Sequence, residues 1–361
     1  MTRPFRLIDT GLREGRANIA MDQAIISLRQ QGVIGDTVRF IHFEPSALVG
    51  RHQDLSLELN LDYCAASGIG TARRMTGGGA IYLDPQQLGW AITCDRAAFP
   101  GCDLGEITRR ICEAAAAGLS KLGIDARYRP RNDIEVGGRK ISGTGGFFDG
   151  NVLMFQGTVL VDLDPQTIAQ ALNVPKAKLA KRDLDDAASR VTTLAALLGK
   201  APPLKAVQDA IAAGLAENLG LDLTPEALSE AEEAEARRAF DEEIGTENFV
   251  TEIDGASREA GMRVGHHIGA GGIVSAHLRL EGVTNDRVRE ILFTGDYFVA
   301  PPRIVFDLEA KLRRVPLTGL AAAIRAYFAQ LPPGGLLSIG ADDFVAAADA
   351  AIAAEPVPAE G

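Results

Sequence analysis

Apolar residues change their spacing several times along the chain, and those changes outline its elements. Phe5-Arg6-Leu7-Ile8 reads as a strand, and residues 17–31 carry the spacing of an amphipathic helix that stops at Gly32. Residues 38–42 and 47–49 predict two further strands separated by Pro45. A short helix is expected over 61–67, closed by Gly68 in a left-handed cap. Leu104, Ile107, Ile111, Leu119 and Leu122 mark one face of a helix that ends at Gly123. Residues 126–128, 134–136 and 152–161 then predict short strands, with Gly137-Gly138 and Asp149-Gly150 as hairpin turns.

From Pro165 to about Glu243 the pattern becomes helical and rich in alanine. The charged stretch 230–238 predicts a boundary helix or a linker, solvated on most faces. A second unit begins near Glu247, with strands over 264–280 and 288–293 and helices over 304–312 and 320–331. The fold class expected is α+β: a mixed or antiparallel sheet with flanking helices, followed by a smaller α+β domain. The domain boundary falls between residues 1–245 and 246–361. The tail after Glu355 is expected to fray.

Charge and cysteine usage narrow the function classes. A formal net charge of -11 over 361 residues opposes general nucleic-acid binding, so an anionic substrate must meet a local cationic patch. No apolar run approaches the roughly 20 residues needed to cross a bilayer, and the N-terminus lacks an apolar signal core. Four cysteines, Cys64, Cys94, Cys102 and Cys112, show no metal-ligand or redox spacing. They fit a reduced, cytoplasmic setting. The five histidines show no ligand spacing either.

Two segments carry candidate chemistry. In Arg73-Arg74-Met75-Thr76-Gly77-Gly78-Gly79-Ala80-Ile81-Tyr82, three glycines allow close approach to the backbone, and successive amides can form an anion-binding nest beside two arginines. A glycine run can also be no more than a wide turn. It lacks the Gly-Lys-Ser/Thr ending of a phosphate-binding loop and the spacing of a dinucleotide fold. In Arg131-Asn132-Asp133-Ile134-Glu135-Val136-Gly137-Gly138-Arg139-Lys140-Ile141-Ser142-Gly143-Thr144, a hairpin would bring Lys140 back to Asn132 and Asp133. Strict alternation would put Lys140 and Ser142 on one side of the return strand. Asp133 could hold Mg²⁺ or orient the lysine.

Taken together, these segments resemble the lipoate–protein ligase family of the biotin/lipoate ligase superfamily. The family pattern Arg-Arg-x-(Ser/Thr)-Gly-Gly-Gly-Ala-(Val/Ile)-Tyr-x-Asp is matched by residues 73–84. Its Asn-Asp-(Ile/Leu) and Gly-x-Lys-Ile-(Ser/Ala)-Gly elements are matched by 132–134 and 138–143. Gly50-Arg51-His52-Gln53 and Ser189-Arg190-Val191-Thr192 match family segments in the same order, and the resemblance covers most of residues 1–245. It implies an enzyme that uses ATP and Mg²⁺ to convert lipoate or octanoate to an acyl-adenylate. The acyl group then passes to a lysine of an apo-lipoyl carrier protein, with no nucleic acid or membrane as partner. Lys140 is the implied catalytic group. Arg73, Arg74, Thr76, Gly77, Gly78, Gly79, Tyr82, Asn132, Asp133, Ser142, Gly143, Thr144, Gln156, Gly157 and Thr158 are the implied binding residues, with Asp133 also the metal ligand. Lys181, Arg182, Ser189 and Arg190 belong to an implied adenylate loop, within a locally basic stretch that begins at Lys176. The glycine cradle and Lys140 are thereby expected to converge on one pocket.

The pattern departs from the family in one strand. Where these ligases read Leu-His-His-Gly-Thr, this chain has Leu153-Met154-Phe155-Gln156-Gly157-Thr158, so a charge-capable histidine gives way to a glutamine. Three rival readings remain. One is an octanoyltransferase that carries the acyl group on a cysteine thiolate, although no cysteine follows Cys112. Another is a binder of lipoate or its carriers without catalysis. A biotin ligase is the third, but that branch has a different adenylate loop.

Overall fold

The protein's fold, a computed structural model describing residues 2–173, 190–331, 336 and 339–358, divides into two units. The first comprises residues 1–48, 59–73 and 81–250; the second comprises 49–58, 74–80 and 251–361. Both the Val250/Thr251 division and the assignment of two short N-terminal stretches to the second unit differ from a single cut at 245/246.

In the first unit, alternating apolar residues build an eight-stranded mixed sheet. Its strands are β1 (Arg3–Arg13), β2 (Thr37–Phe43), β6 (Leu88–Asp95), β7 (Ala126–Arg129), β8 (Asp133–Val136), β9 (Arg139–Asp149), β10 (Val152–Val159) and β11 (Leu221–Pro225). They lie in the order β11-β1-β2-β6-β10-β9-β8-β7. The β11-β1-β2 end is parallel and the rest antiparallel. A smaller sheet joins β3 (Ser46–Val49), β4 (Gly70–Arg73) and β5 (Ile81–Leu83). Strand β11 was not expected. Only Leu221 and Leu223 alternate there, between Gly220 and Pro225, within a stretch whose composition reads as helix.

Strand register sorts the two faces of the large sheet. Phe40, Trp90, Gly157 and Thr144 form one row across four strands, and the Thr144 hydroxyl lies 3.3 Å from Cys112 Sγ of helix Leu104–Ser120. One residue along, Arg39, Ala91, Gln156 and Gly145 form a row on the opposite face. There Arg39 bonds Asp22 of helix Gly15–Gln30 at 2.5 Å. Both partners are almost completely buried, and Arg39 also donates to Asn18 Oδ1 and Thr10 Oγ1. Helices Leu104–Ser120 and Leu204–Leu219 pack closely because Gly118 and Gly214 lack side chains. A Cβ on Gly118 would stand 2.2 Å from the Ala210 carbonyl, and one on Gly214 2.3 Å from that of Ala114.

Helix Glu230–Ala239 forms where a boundary helix or a linker was expected, starting with a capping box at Ser229 and Glu232. It is less solvated than its composition suggests. Glu232 is fully buried and receives both guanidinium nitrogens of Arg6, at 3.0 and 3.1 Å.

In the second unit, β12 (Arg263–Gly269), β13 (Gly272–Glu281) and β14 (Arg287–Gly295) form an antiparallel sheet. Helices Arg303–Leu312, Leu317–Ala329 and Ala341–Ala353 supply its core with Leu308, Ile324 and Phe344 against Val274, Leu278 and Phe293. The last of these helices was not anticipated; its alanine-rich sequence offers few large apolar markers. Glu309 is buried in this unit and accepts the Phe293 amide at 2.6 Å. Burial pushes its carboxyl pKa up to about 8, against the opposing pull of that amide.

Two stability predictions follow from these buried charges. Asp22→Ala strands the Arg39 guanidinium and is expected to cost about 3–5 kcal/mol in a chemical-denaturation measurement; an unchanged midpoint would show that the pair contributes nothing. Glu309 keeps its proton in the folded state between its unfolded pKa and about 8. Stability should therefore fall as pH rises from about 5 through 8. Glu309→Gln should flatten that slope in a melting series between pH 5 and 9.

Candidate functional site

The hairpin expected around Gly137-Gly138 forms, with φ values of 57° and 81° at its two glycines. Its return strand does not alternate strictly. Ile134 pairs with Ser142 and Glu135 with Lys140, leaving Ile141 as the extra residue of a β-bulge. Lys140 and Ser142 therefore do not share a side, as alternation had suggested. Ser142 is fully buried with Ile141, and its hydroxyl has no hydrogen-bond partner among the described residues. Lys140 instead folds over Gly143, where an added Cβ would stand 2.6 Å from Nζ.

A chain of charges holds the ammonium there. Lys140 Nζ lies 2.8 Å from Asp133 Oδ1, and Arg129 Nη2 lies 2.5 Å from Asp133 Oδ2. Arg129 also reaches Glu135 at 3.4 Å. Since Asp133 pairs directly with Gly143, carboxylate and ammonium lie on the sheet face that carries Gly145 and Gln156. The Lys140 side chain keeps 35% of its exposure, compared with 17% for Asp133, so the cation can meet a ligand. Asp133 Oδ2 accepts from Arg129, while Oδ1 faces the ammonium with no hydrogen bond closing on it among the described residues. Among the described residues, no three His, Cys, Asp or Glu side chains gather as a metal site.

Backbone contacts fix the same point from two directions. Lys140 N donates to Arg190 O at 2.8 Å, and Thr192 N donates to Lys140 O at 2.9 Å. The Arg190–Thr192 segment thus clamps the lysine's own peptide groups. Asn132 Nδ2 donates to Thr144 O at 2.6 Å, while Thr144 Oγ1 donates to Asn132 O at 2.8 Å. Asn132 and Thr144 consequently lock the start of β8 to β9. Between Arg129 and Asn132, Arg131 adopts a φ of 99°, a left-handed conformation unfavourable for a residue with a side chain.

The remaining expected residues fall into several environments. Gln156 and Thr158 are partly exposed on the Gly145 face. Gly157 lies on the opposite face, where a Cβ would come within 2.6 Å of the Trp90 ring. Tyr82 is buried on β5, and burial together with the nearby Asp84 carboxylate pushes its pKa up to about 12. The Arg73 guanidinium donates to the Phe249 and Val250 carbonyls.

Arg74, Thr76 and the three glycines belong to the second unit. Arg74 donates to the carbonyls of Gly77 and Gly79, at 3.2 and 2.8 Å. The Gly78 amide donates to Tyr297 O at 3.1 Å, and Gly78 has a φ of 95°. A Cβ on Gly77 would meet Tyr297 O at 2.3 Å, and one on Gly78 would meet the Phe298 ring at 2.5 Å. Internal packing therefore accounts for two of the three glycines. The expectations placed on Lys181, Arg182 and Ser189 lie outside the described residues.

No cysteine is poised beside Lys140. Cys64, Cys94 and Cys112 are buried, and burial raises the pKa of each, to about 12 for Cys112. Cys112 occupies the helix-covered face with Thr144, away from the face of Lys140. Cys102, partly exposed, contacts the Pro100 carbonyl and Arg110. Sequence reasoning missed Arg129, whose only available signal was a cationic side chain in the strand preceding Asn132.

Comparison with known proteins places this geometry. Residues 14–216 match the lipoyl protein ligase A/B catalytic domain. The chain is 32% identical over 272 residues to octanoyltransferase LipM of Symbiobacterium thermophilum, covering 69% of this chain and 98% of that protein. It is similar to a solved structure of a bi-partite lipoate protein ligase from Thermoplasma acidophilum, at 27% identity and a TM-score of 0.61, covering 70% of this chain and 97% of the other. A lipoate-protein ligase A bound with ATP gives 27% identity and a TM-score of 0.60, with 70% and 100% covered.

Replacing Gly143 with alanine would push the Lys140 ammonium off its position while leaving the strands in place. Gly143→Ala is expected to lower turnover in an acyl-transfer assay by about a hundredfold. Full activity in this variant would show that the ammonium's position over Gly143 does not matter.

Proposed function

Because the chain belongs to the lipoyl protein ligase A/B family, we propose that it is an ATP-dependent lipoate–protein ligase acting on lipoate or octanoate. The observation that carries this reading is the accessible Lys140 ammonium, held by Asp133 over Gly143, on a face with no thiol beside it. Bringing an acyl carboxylate to the α-phosphate of ATP joins two anions, so a fixed cation is needed where their charges meet. Lys140 supplies it as a compact charge. The carboxylate oxygen bonds to the α-phosphorus as the bond to pyrophosphate breaks. The amine of a carrier lysine then attacks the acyl carbon, and AMP leaves. Asp133 and Arg129 orient the ammonium, and Asn132 and Thr144 keep the hairpin in register. Gln156, on the same face, offers a neutral hydrogen-bonding group to the acyl head. In the glycine block, the Gly78 amide is committed to Tyr297. Anion binding there would rest on the other donors of that loop.

A second reading is supported by the likeness to octanoyltransferase LipM. In it, the octanoyl group passes through a cysteine thioester without ATP. It would require a reactive thiolate, and the three buried thiols are shifted away from ionisation.

Two measurements separate these readings. Lipoate- or octanoate-dependent exchange of labelled pyrophosphate into ATP is expected with the parent chain, and Lys140→Ala should lose about two to three orders of magnitude of it. Replacing Cys64, Cys94, Cys102 and Cys112 with alanine should leave acyl transfer to an apo-lipoyl domain largely intact. ATP-independent transfer that vanishes with Cys102 would instead establish the transferase.

A further inference from the structure

One corner of the second unit concentrates positive charge in a chain whose net charge is -11. Arg287 and Arg289 project from β14, and the Arg313–Pro316 segment runs beside that strand. The Arg314 amide donates to Val288 O at 2.7 Å, and the Val288 amide donates to Val315 O at 3.0 Å. Four exposed arginines, Arg287, Arg289, Arg313 and Arg314, are therefore gathered on two adjoining stretches. None of them has an ion-pair partner among the described residues, whereas the nearby Glu290 is taken by Arg279 at 3.1 Å. Asp286 and Glu281 are acids close in sequence, and the buried Glu309, four residues before Arg313, interacts with that arginine's charge.

Backbone geometry sets this corner apart. Arg279 pairs with Glu290 and Leu280 with Val288, which makes Arg289 the extra residue of a bulge. Of the three residues with side chains at positive φ among those described, two lie here: Asn285 at 51° and Arg314 at 65°. Asparagine tolerates that conformation, but arginine does not favour it. Strained residues of this kind gather at functional surfaces. The adjoining hairpin tip also presents Val283 fully to solvent, an apolar contact beside the cationic patch.

We propose that Arg287, Arg289, Arg313, Arg314 and Val283 form a docking surface for an acidic face of the carrier protein that receives the acyl group. This deepens the ligase reading and rests on it for the identity of the partner. Guanidinium groups pair carboxylates in a planar, two-point geometry, which suits a compact acidic protein surface. An extended phosphate backbone makes no use of the apolar Val283 at the edge of the patch, whereas a folded protein surface does. The charges would steer the encounter and Val283 would add a dry contact.

The test uses the full chain and an isolated apo-lipoyl domain of net negative charge. Its dissociation constant is measured by calorimetry at about 50 and 300 mM salt. Simultaneous Arg287→Glu, Arg289→Glu, Arg313→Glu and Arg314→Glu substitution is expected to weaken binding at least tenfold at low salt and to remove most of the salt dependence. All four side chains are exposed, and an unchanged melting temperature checks the fold. Val283→Ser in the parent chain should give a smaller, salt-independent loss. Pyrophosphate exchange in the quadruple variant should match the parent. Equal affinity of parent and variant, or no binding by the parent, overturns the docking surface. Loss of exchange in the parent chain, with charge-dependent binding intact, would overturn the ligase reading alone. Tighter binding of single-stranded RNA or anionic vesicles than of the lipoyl domain, abolished by the same substitutions, would assign the corner to a different partner and overturn the proposal.

Discussion

An ammonium group can neutralise two meeting anions only if it is held still and kept partly in contact with solvent. In this chain, a one-residue irregularity meets both conditions. The bulge at Ile141 turns Lys140 onto the face shared by Asp133 and Gly143, and the missing side chain of Gly143 leaves room for Nζ. Arg129 occupies the second oxygen of Asp133, so the first is left facing the lysine. Peptide bonds from Arg190 and Thr192 fix the backbone behind it. Without the bulge, the ammonium would turn towards the buried face, where Ser142 has no partner among the described residues.

The rest of the first unit supports that hairpin. Cys112 and Thr144 tie β9 to helix Leu104–Ser120, and the row from Phe40 through Trp90 and Gly157 to Thr144 fills the same side. Across the sheet, the Arg39–Asp22 pair anchors helix Gly15–Gln30. Such a pair contributes little net stability, because desolvating two charges offsets most of their attraction. Its loss on one side only is what costs. It also sets the register between helix and strand, since Arg39 reaches Asn18, Asp22 and Thr10 at once.

Much of this was legible in the sequence, and the failures have physical causes. Apolar spacing located helix Gly15–Gln30 and helix Leu104–Ser120, since each buries a large face at a regular period, and the paired glycines at 137 and 138 located the hairpin. Strand β11 escaped because two leucines make too short a period to stand out from the surrounding alanines. The bulge escaped because nothing local to Ile141 distinguishes an extra residue from an ordinary strand position. The glycine run was readable as special, and part of its ground is close packing that no local pattern reveals. Gly77 and Gly78 have immediate structural grounds in Tyr297 and Phe298, more than 200 residues further along the chain. Asn132 and Thr144 were picked out by motif, and the structure shows them bonding each other.

If Lys140 is the cation on which activation turns, its removal must be felt most by a molecule that already joins the two anions. Calorimetric titration with an acyl-sulfamoyl adenosine, a stable mimic of the acyl-adenylate, measures this without any turnover. Lys140→Met should bind the mimic at least about a hundredfold more weakly than the parent chain, the size expected for losing a charge-assisted contact, with the melting temperature preserved. Equal affinity in the two proteins would contradict the account.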